Sequence, residues 1–202
     1  MFHGLAVCYF RAIIFARKFS EMNIRLTVAA MALLFLASCG AKMKWEADKI
    51  SKQENALLEA AKGGKIDSIA VNNLLAAYEA FADKYPGDTT AANFLFKAAD
   101  FYRYMGKPLK SIGIYEKIYH NYPNFDKRPY ALFLQGFMFE NEVGNTEAAK
   151  IKYREFLKAF PEHAIAKDVK LTLENLGKTP EQLLAEFEAM QQADSTAQTK
   201  GE

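Results

Sequence analysis

Ser111-Ile112-Gly113-Ile114-Tyr115-Glu116-Lys117-Ile118-Tyr119-His120-Asn121-Tyr122-Pro123 decides the fold, because the same plan recurs on either side of it. Leu74-Leu75-Ala76-Ala77-Tyr78-Glu79-Ala80-Phe81-Ala82-Asp83-Lys84-Tyr85-Pro86 comes before it. Ala149-Lys150-Ile151-Lys152-Tyr153-Arg154-Glu155-Phe156-Leu157-Lys158-Ala159-Phe160-Pro161 comes after. Each copy closes on an aromatic-Pro pair. Tyr78, Tyr115 and Tyr153 lie seven positions before the closing aromatic, and Phe81, Ile118 and Phe156 lie four before it. Residues three and four apart share one helix face, so each copy reads as a helix with an apolar stripe, stopped by proline. The prolines are spaced 37 and then 38 residues apart. A fixed period in that range, filled by helices, signals a helical repeat array.

Working outward, each copy has a partner helix. Residues 45–62 read as a helix with Ile50, Leu57 and Leu58 on one face and Gly63-Gly64 as its stop. Residues 66–84 pair with it. Asp88-Thr89-Thr90 can cap a helix over about 91–105, Gly106 ends it and Pro108 opens the next. Residues 128–143 and 146–160 repeat the hairpin around Gly144-Asn145, with Phe133, Gly136 and Phe139 on the inner face of the first helix and Ala149 as the small residue of the second. A helix over 164–176 presents Val169, Leu173 and Leu176. The last starts at Thr179-Pro180-Glu181-Gln182, which carries the residues of a capping box, and shows Leu183, Leu184, Phe187 and Met190 on one face. That helix is expected to pack as the end cap of the array. Residues 193–202 read as a disordered polar tail. The expectation is about eight helices, with no sheet because no strong stretch alternates with a period of two.

Composition narrows the function. The 202 residues are 50% hydrophobic and 25% charged, as for a folded protein, and the net charge of +2 gives no reason to expect nucleic acid as a partner. Cys8 and Cys39 both precede the helical part, so no disulfide framework holds it. His3, His120 and His163 share no metal-ligand spacing. There is no Gly-rich phosphate loop, Gly-x-Ser-x-Gly or paired-His motif, and acids such as Glu116, Glu140 and Glu155 fall at ordinary helical spacing. No catalytic residue, cofactor or metal is expected, and the protein is read as a non-enzyme.

The first forty residues read as an address. Met22-Asn23-Ile24-Arg25, an apolar run over 26–36 and Ala37-Ser38-Cys39 form a signal peptide, too short in its apolar part for a comfortable membrane span. Leu36-Ala37-Ser38-Cys39 resembles the bacterial lipobox. The resemblance implies that Cys39 is the acylated first residue of the mature chain, carrying fatty acids such as palmitate. A simple secretory signal or a membrane helix with a chance cysteine is the alternative. Residues 1–38 are thus expected to be removed, with Met22 the true start and 1–21 a mis-called extension, and 39–44 to serve as anchor and linker. Cleavage leaves 22 basic against 23 acidic residues, a charge of −1. Gly40 is not the aspartate that retains many such lipoproteins in the inner membrane, and no acidic cluster of the surface-export kind follows. The resemblance therefore implies an outer-membrane anchor facing the periplasm.

The aromatic-Pro period, with Leu95, Ala98, Ala99, Tyr102, Gly106, Tyr115 and Pro123 at matching marks, resembles the tetratricopeptide repeat with a few extra residues in the turns. The fold expected for residues 45–192 is all-α, a right-handed superhelix of antiparallel helix hairpins. In that family the first helix of each pair lines a concave groove. Carried over by the Gly106 register, this implies groove positions Asn93, Phe96, Asp100 and Arg103. By the Gly136 register, which sits one residue off that of Gly144, it implies Tyr130, Phe133, Phe137 and Glu140. The crowding of Phe94, Phe96, Phe101, Tyr102 and Tyr104 on one helix, and of Phe133, Phe137 and Phe139 on another, exceeds what one stripe can bury. These rings either fill the interfaces between hairpins or anchor an extended peptide in the groove.

Lipid signal and repeats together are similar to the periplasmic repeat lipoproteins, which include the barrel-assembly and Tol-Pal coordinator families. The resemblance implies a scaffold, held to the membrane by lipid on Cys39, that binds an envelope protein or peptide segment, with outer-membrane protein assembly as the leading setting. An alternative is a peptide- or glycan-binding accessory of cell-wall metabolism.

Overall fold

A computed structural model describes residues 40–64 and 67–199, with side chains up to Gln192 except Met190. The expected signal peptide and the expected lipidation site, Cys39, lie outside the described residues. Chain contacts divide the protein into two units, residues 1–65 and 66–202.

In the first unit, residues 40–62 form α1, and Ile50 and Leu57 are its buried side chains. The linker expected over 39–44 is helical from residue 40. Ala41-Lys42-Met43-Lys44 contains no breaker, so the helix runs on toward its N-terminus. Leu58, expected on the apolar face, is exposed.

The second unit is a row of seven helices: α2 (Ser68–Lys84), α3 (Thr89–Tyr104), α4 (Pro108–Asn121), α5 (Arg128–Asn141), α6 (Thr146–Ala159), α7 (Ala166–Asn175) and α8 (Pro180–Thr199). No strand occurs among the described residues. From α2 to α7 the principal contacts join consecutive helices, as in an array where each hairpin packs on its neighbours. The fold is an all-α, tetratricopeptide-like superhelical array.

Local chemistry sets the boundaries. Asp67, Asp88 and Asn145 each accept a backbone N–H with the side chain, at 2.8, 2.7 and 3.0 Å, and so cap α2, α3 and α6. Behind α3, Gly106 adopts φ +67°; its N–H donates to Arg103 O and that of Lys107 to Tyr102 O, both at 2.9 Å. That is the paired-bond glycine stop of a helix. Gly144, at φ +71°, turns the chain between α5 and α6. The three aromatic-Pro stops share one geometry. Tyr85, Tyr122 and Phe160 sit at φ −124°, −126° and −136°, each donating its N–H to the carbonyl four residues back. A following proline keeps its predecessor out of the α region, so helix propagation ends at the aromatic.

The repeat stripe is the core. Tyr78, Tyr115 and Tyr153 are wholly buried, as are Ile118 and Phe156, with Phe81 nearly so. Ser111 and Ala149, four residues before their tyrosines, are the small buried residues that let paired helices approach. Ser111 also donates its hydroxyl to Ala99 O of α3 at 2.7 Å. Between repeats, Lys117 reaches Asp83 at 2.8 Å and Lys152 reaches Glu116 at 3.5 Å, tying each second helix to the one before it.

The C-terminal end departs from expectation. Val169 and Leu173 of α7, with Leu176 just after it, pack into the cluster around Tyr153 and Phe156, so α7 itself closes the array. Leu173 faces that cluster while Leu171 of the same helix stays exposed. Leu183, Leu184 and Phe187 are exposed rather than forming an end cap. The capping box does form: Thr179 N donates to Gln182 Oε1 at 2.9 Å and Gln182 N to Thr179 Oγ1 at 3.3 Å. Residues 193–199, expected as a disordered tail, continue α8, because neither Gly nor Pro interrupts the chain before Gly201. Among the described residues no helix is long and apolar enough to cross a membrane.

Candidate partner-binding face

The eight groove positions fall on α3 and α5, the first helices of two successive hairpins. On α3, Asn93 is exposed and donates Nδ2 to Thr89 O at 3.0 Å. Phe96 is half-buried. Its inner edge meets Tyr115 at 5.2 Å between ring centroids, and Lys127 Nζ stands 5.3 Å from its ring centre. Asp100 accepts the Tyr115 hydroxyl at 2.6 Å. Arg103 places Nη1 3.7 Å from Glu142 and lays its guanidinium 4.8 Å from the Tyr104 ring. Its Nε is buried and makes no hydrogen bond to the described residues.

On α5, Tyr130 is 40% exposed and meets His163 edge-on at 5.3 Å. Phe133 is half-buried and turned inward, 5.9 Å from Tyr153 and 6.4 Å from Phe156. Phe137, also half-buried, lies beside it at 6.3 Å. Glu140 accepts the Tyr153 hydroxyl at 2.7 Å.

The structure thus gives seven of the eight residues three kinds of surroundings, and places Arg103 apart, between Glu142 and the Tyr104 ring. Asn93 and Tyr130 are open to solvent. Phe96, Phe133 and Phe137 pack inward on one edge and show the other. Asp100 and Glu140 are acceptors that hold the second helix of their own hairpin.

These last two bonds are the feature sequence reasoning missed. In both hairpins the repeat tyrosine is buried to its ring and ends on a carboxylate of the first helix. Burial first, then the adjacent carboxylate, pushes both hydroxyls well above the ordinary tyrosine range. The signal was present as an acid on the inner side of the first helix, 15 residues before Tyr115 and 13 before Tyr153. The unequal spacing hid it: Asp100 lies four residues before the end of α3, Glu140 one before the end of α5. A third polar contact is organised otherwise. Tyr102 donates to Glu79 of α2 at 2.7 Å and receives a bond from Lys110 at 2.7 Å, so α2, α3 and α4 meet at one hydroxyl.

Most of the crowded rings fill interfaces between helices. Phe94 stacks on Tyr78 at 5.0 Å and meets Phe81 edge-on at 5.1 Å. Tyr102 is buried, whereas Tyr104 stands out at 77% exposure beside Arg103.

Among the described residues no group of three or more His, Cys, Asp or Glu side chains could hold a metal ion. Asp100 and Glu140 are each engaged by a tyrosine, an arrangement that fixes helices rather than moving protons. The chemistry on offer is recognition: half-exposed rings, an amide and a guanidinium along successive first helices.

No curated protein matches the chain. The tetratricopeptide repeat family matches residues 94–124, from within α3 past the end of α4, and 130–163, from within α5 past the end of α6. Repeats of this kind generally mediate protein–protein interaction on a scaffold that is typically non-catalytic. With the hairpin geometry above, these matches identify residues 94–124 and 130–163 as tetratricopeptide-like repeats.

Proposed function

We propose that the protein is a lipid-anchored scaffold of the cell envelope that holds a segment of another envelope protein along α3 and α5. Outer-membrane protein assembly is the leading setting. The observation that carries the binding reading is the pair of matched repeats whose first helices keep Asn93 and Tyr130 exposed beside half-buried Phe96 and Phe137. An extended segment gains affinity from the partly exposed rings, and its register from the flanking polar groups. Support for the address comes from Leu36-Ala37-Ser38-Cys39 at the end of an apolar run. Several acyl chains on Cys39 would hold the domain durably on a bilayer, whereas a single chain binds only marginally.

Two measurements test this. Intact mass of the native protein should match a triacylated chain beginning at Cys39, recovered with the outer membrane. A mass retaining residues 1–38, or an unacylated soluble chain, would overturn the address. A photo-crosslinking residue at Asn93 or Tyr130 should trap a discrete envelope protein that the same residue at exposed Lys158 does not. Equal trapping at all three sites would remove the groove. Retention on isolated cell wall without a protein adduct would move the function to wall metabolism.

A further inference from the structure

The N-terminal helix carries an exposed face of mixed basic and aromatic character. In α1, Lys42, Trp45, Lys49 and Lys52 follow one another at three- and four-residue spacing, so they form a single stripe. All four are exposed, Trp45 at 63%. The buried residues of the helix, Ile50 and Leu57, belong to a different face. Lys49 Nζ stands 5.9 Å from the centre of the Trp45 ring, and Trp45, Asp48, Lys49 and Lys52 line a shallow solvent-open depression. From residue 40 to 52 there are four lysines, with Lys44, against Glu46 and Asp48.

A large indole left outside a core is costly in water but well suited to the boundary between headgroups and acyl chains. Lysines beside it reach with long apolar stems and keep their charge at headgroup level. A basic helix face with an aromatic wedge is the composition of a helix that lies in the plane of an anionic membrane surface. We propose that α1 docks flat on an anionic lipid surface through Trp45, with Lys42, Lys49 and Lys52 on the headgroups. The lysines complement lipid phosphate and the acidic, apolar α8 of a second copy alike; the exposed indole flanked by lysine stems, the pattern of a headgroup boundary, favours lipid over that competing occupant. The inference rests on the membrane setting proposed above but not on acylation of Cys39, from which the stripe begins only three residues away. Its consequence would be to fix the start of the chain at the bilayer rather than leave it swinging from an acyl tether.

Trp45 is the only tryptophan in the chain, so its emission reports this face alone. The full chain carrying Cys39→Ser, which cannot be acylated there, is mixed with phosphatidylglycerol-containing vesicles and, separately, with pure phosphatidylcholine vesicles. The expected result is a blue shift and protection from iodide quenching with the anionic vesicles only, reversed by salt. Each lysine near such a surface is worth about fivefold in partition, so Lys49→Gln with Lys52→Gln should weaken binding by roughly thirtyfold. Because both side chains are exposed, the double variant should keep its helical circular dichroism. An equal shift on neutral vesicles would mean that the apolar run over 26–36 carries the indole in, and would overturn the proposal. A shift without vesicles that grows with protein concentration would assign the face to a second copy and overturn it likewise, as would no shift at all. None of these outcomes depends on whether the native chain proves acylated, which the intact-mass measurement decides separately.

Discussion

The ring of Tyr153 occupies the space that a side chain at Gly136 would need. A Cβ there would lie 2.7 Å from Tyr153 Cε1 and 2.8 Å from Cδ1, with the ring wholly buried and held at its far end by Glu140. Neither partner can give way cheaply. Gly136→Ala is therefore expected to destabilise the protein by about 1–3 kcal/mol, the ordinary cost of overpacking a filled core. Gly113 is the internal control. It too lies inside a helix, but a Cβ would meet nothing within 4 Å. Gly113→Ala should stabilise by roughly 0.5–1 kcal/mol through the entropy of the unfolded chain. Urea denaturation of the two variants checks this; equal effects would mean that the close approach at Gly136 has no energetic weight.

A second test lies one residue earlier on α5. Gln135 is completely buried. Its Nε2 donates to Ala131 O at 3.1 Å, but its Oε1 accepts nothing from the described residues. Ala131 O lies inside the helix, so it keeps a backbone partner when the side chain goes. Replacing an unsatisfied buried amide with an apolar group of similar shape removes a desolvation cost. Gln135→Met is expected to raise the unfolding free energy by about 1 kcal/mol. A loss of that size instead would show that the Oε1 lone pairs hold something the fold needs.

These two positions mark where the sequence stops being readable. The array itself was plain, because the three tyrosines, their apolar followers and the aromatic-Pro stops recur, and each acts locally through helix periodicity or the pre-proline restriction. The cap at Asp88 and the Thr179-Gln182 box were readable for the same reason, whereas Asn145 read as part of a turn and caps α6. What could not be read depends on the separation between helices. Gly136 was visible as a glycine on an inner face, but not as the seat of Tyr153. Asp100 and Glu140 read from the sequence as groove residues, not as acceptors for the repeat tyrosines. Whether α8 finds a partner depends on how much apolar surface α7 has left, and no pattern within α8 reports that.

The end of the array supplies a third prediction. Because α7 closes the core and Leu183, Leu184 and Phe187 are exposed, a chain ending at Lys178 should unfold within about 0.5 kcal/mol of the full chain. Val169→Ala, inside the closing cluster, should cost on the order of 2 kcal/mol. Thermal and urea melts of both decide it. If truncation costs as much as Val169→Ala, α8 is part of the cooperative unit after all.

Alkaline pH offers the most specific readout of the tyrosine–carboxylate pairs. Tyr115 and Tyr153 keep their protons in the folded chain because burial and the neighbouring Asp100 and Glu140 disfavour a phenolate. Unfolded, both ionise near the ordinary value of 10.0. Above that pH the unfolded chain has released protons that the native chain retains, so the unfolded state is favoured. The contribution of the two groups is fully present below pH 10 and falls away as pH rises above it. Urea midpoints measured from about pH 8 to about pH 11 should therefore decline for the wild-type chain. The double variant Tyr115→Phe/Tyr153→Phe should start lower, by about 1.5–3 kcal/mol per lost bond to a charged acceptor, and should decline less steeply. Lysine titration acts on both proteins alike, so the difference between the two slopes isolates the tyrosines. Parallel slopes would mean that these hydroxyls ionise in the native state as readily as in the unfolded one, and the buried pairing of the two helices in each hairpin would have to be given up.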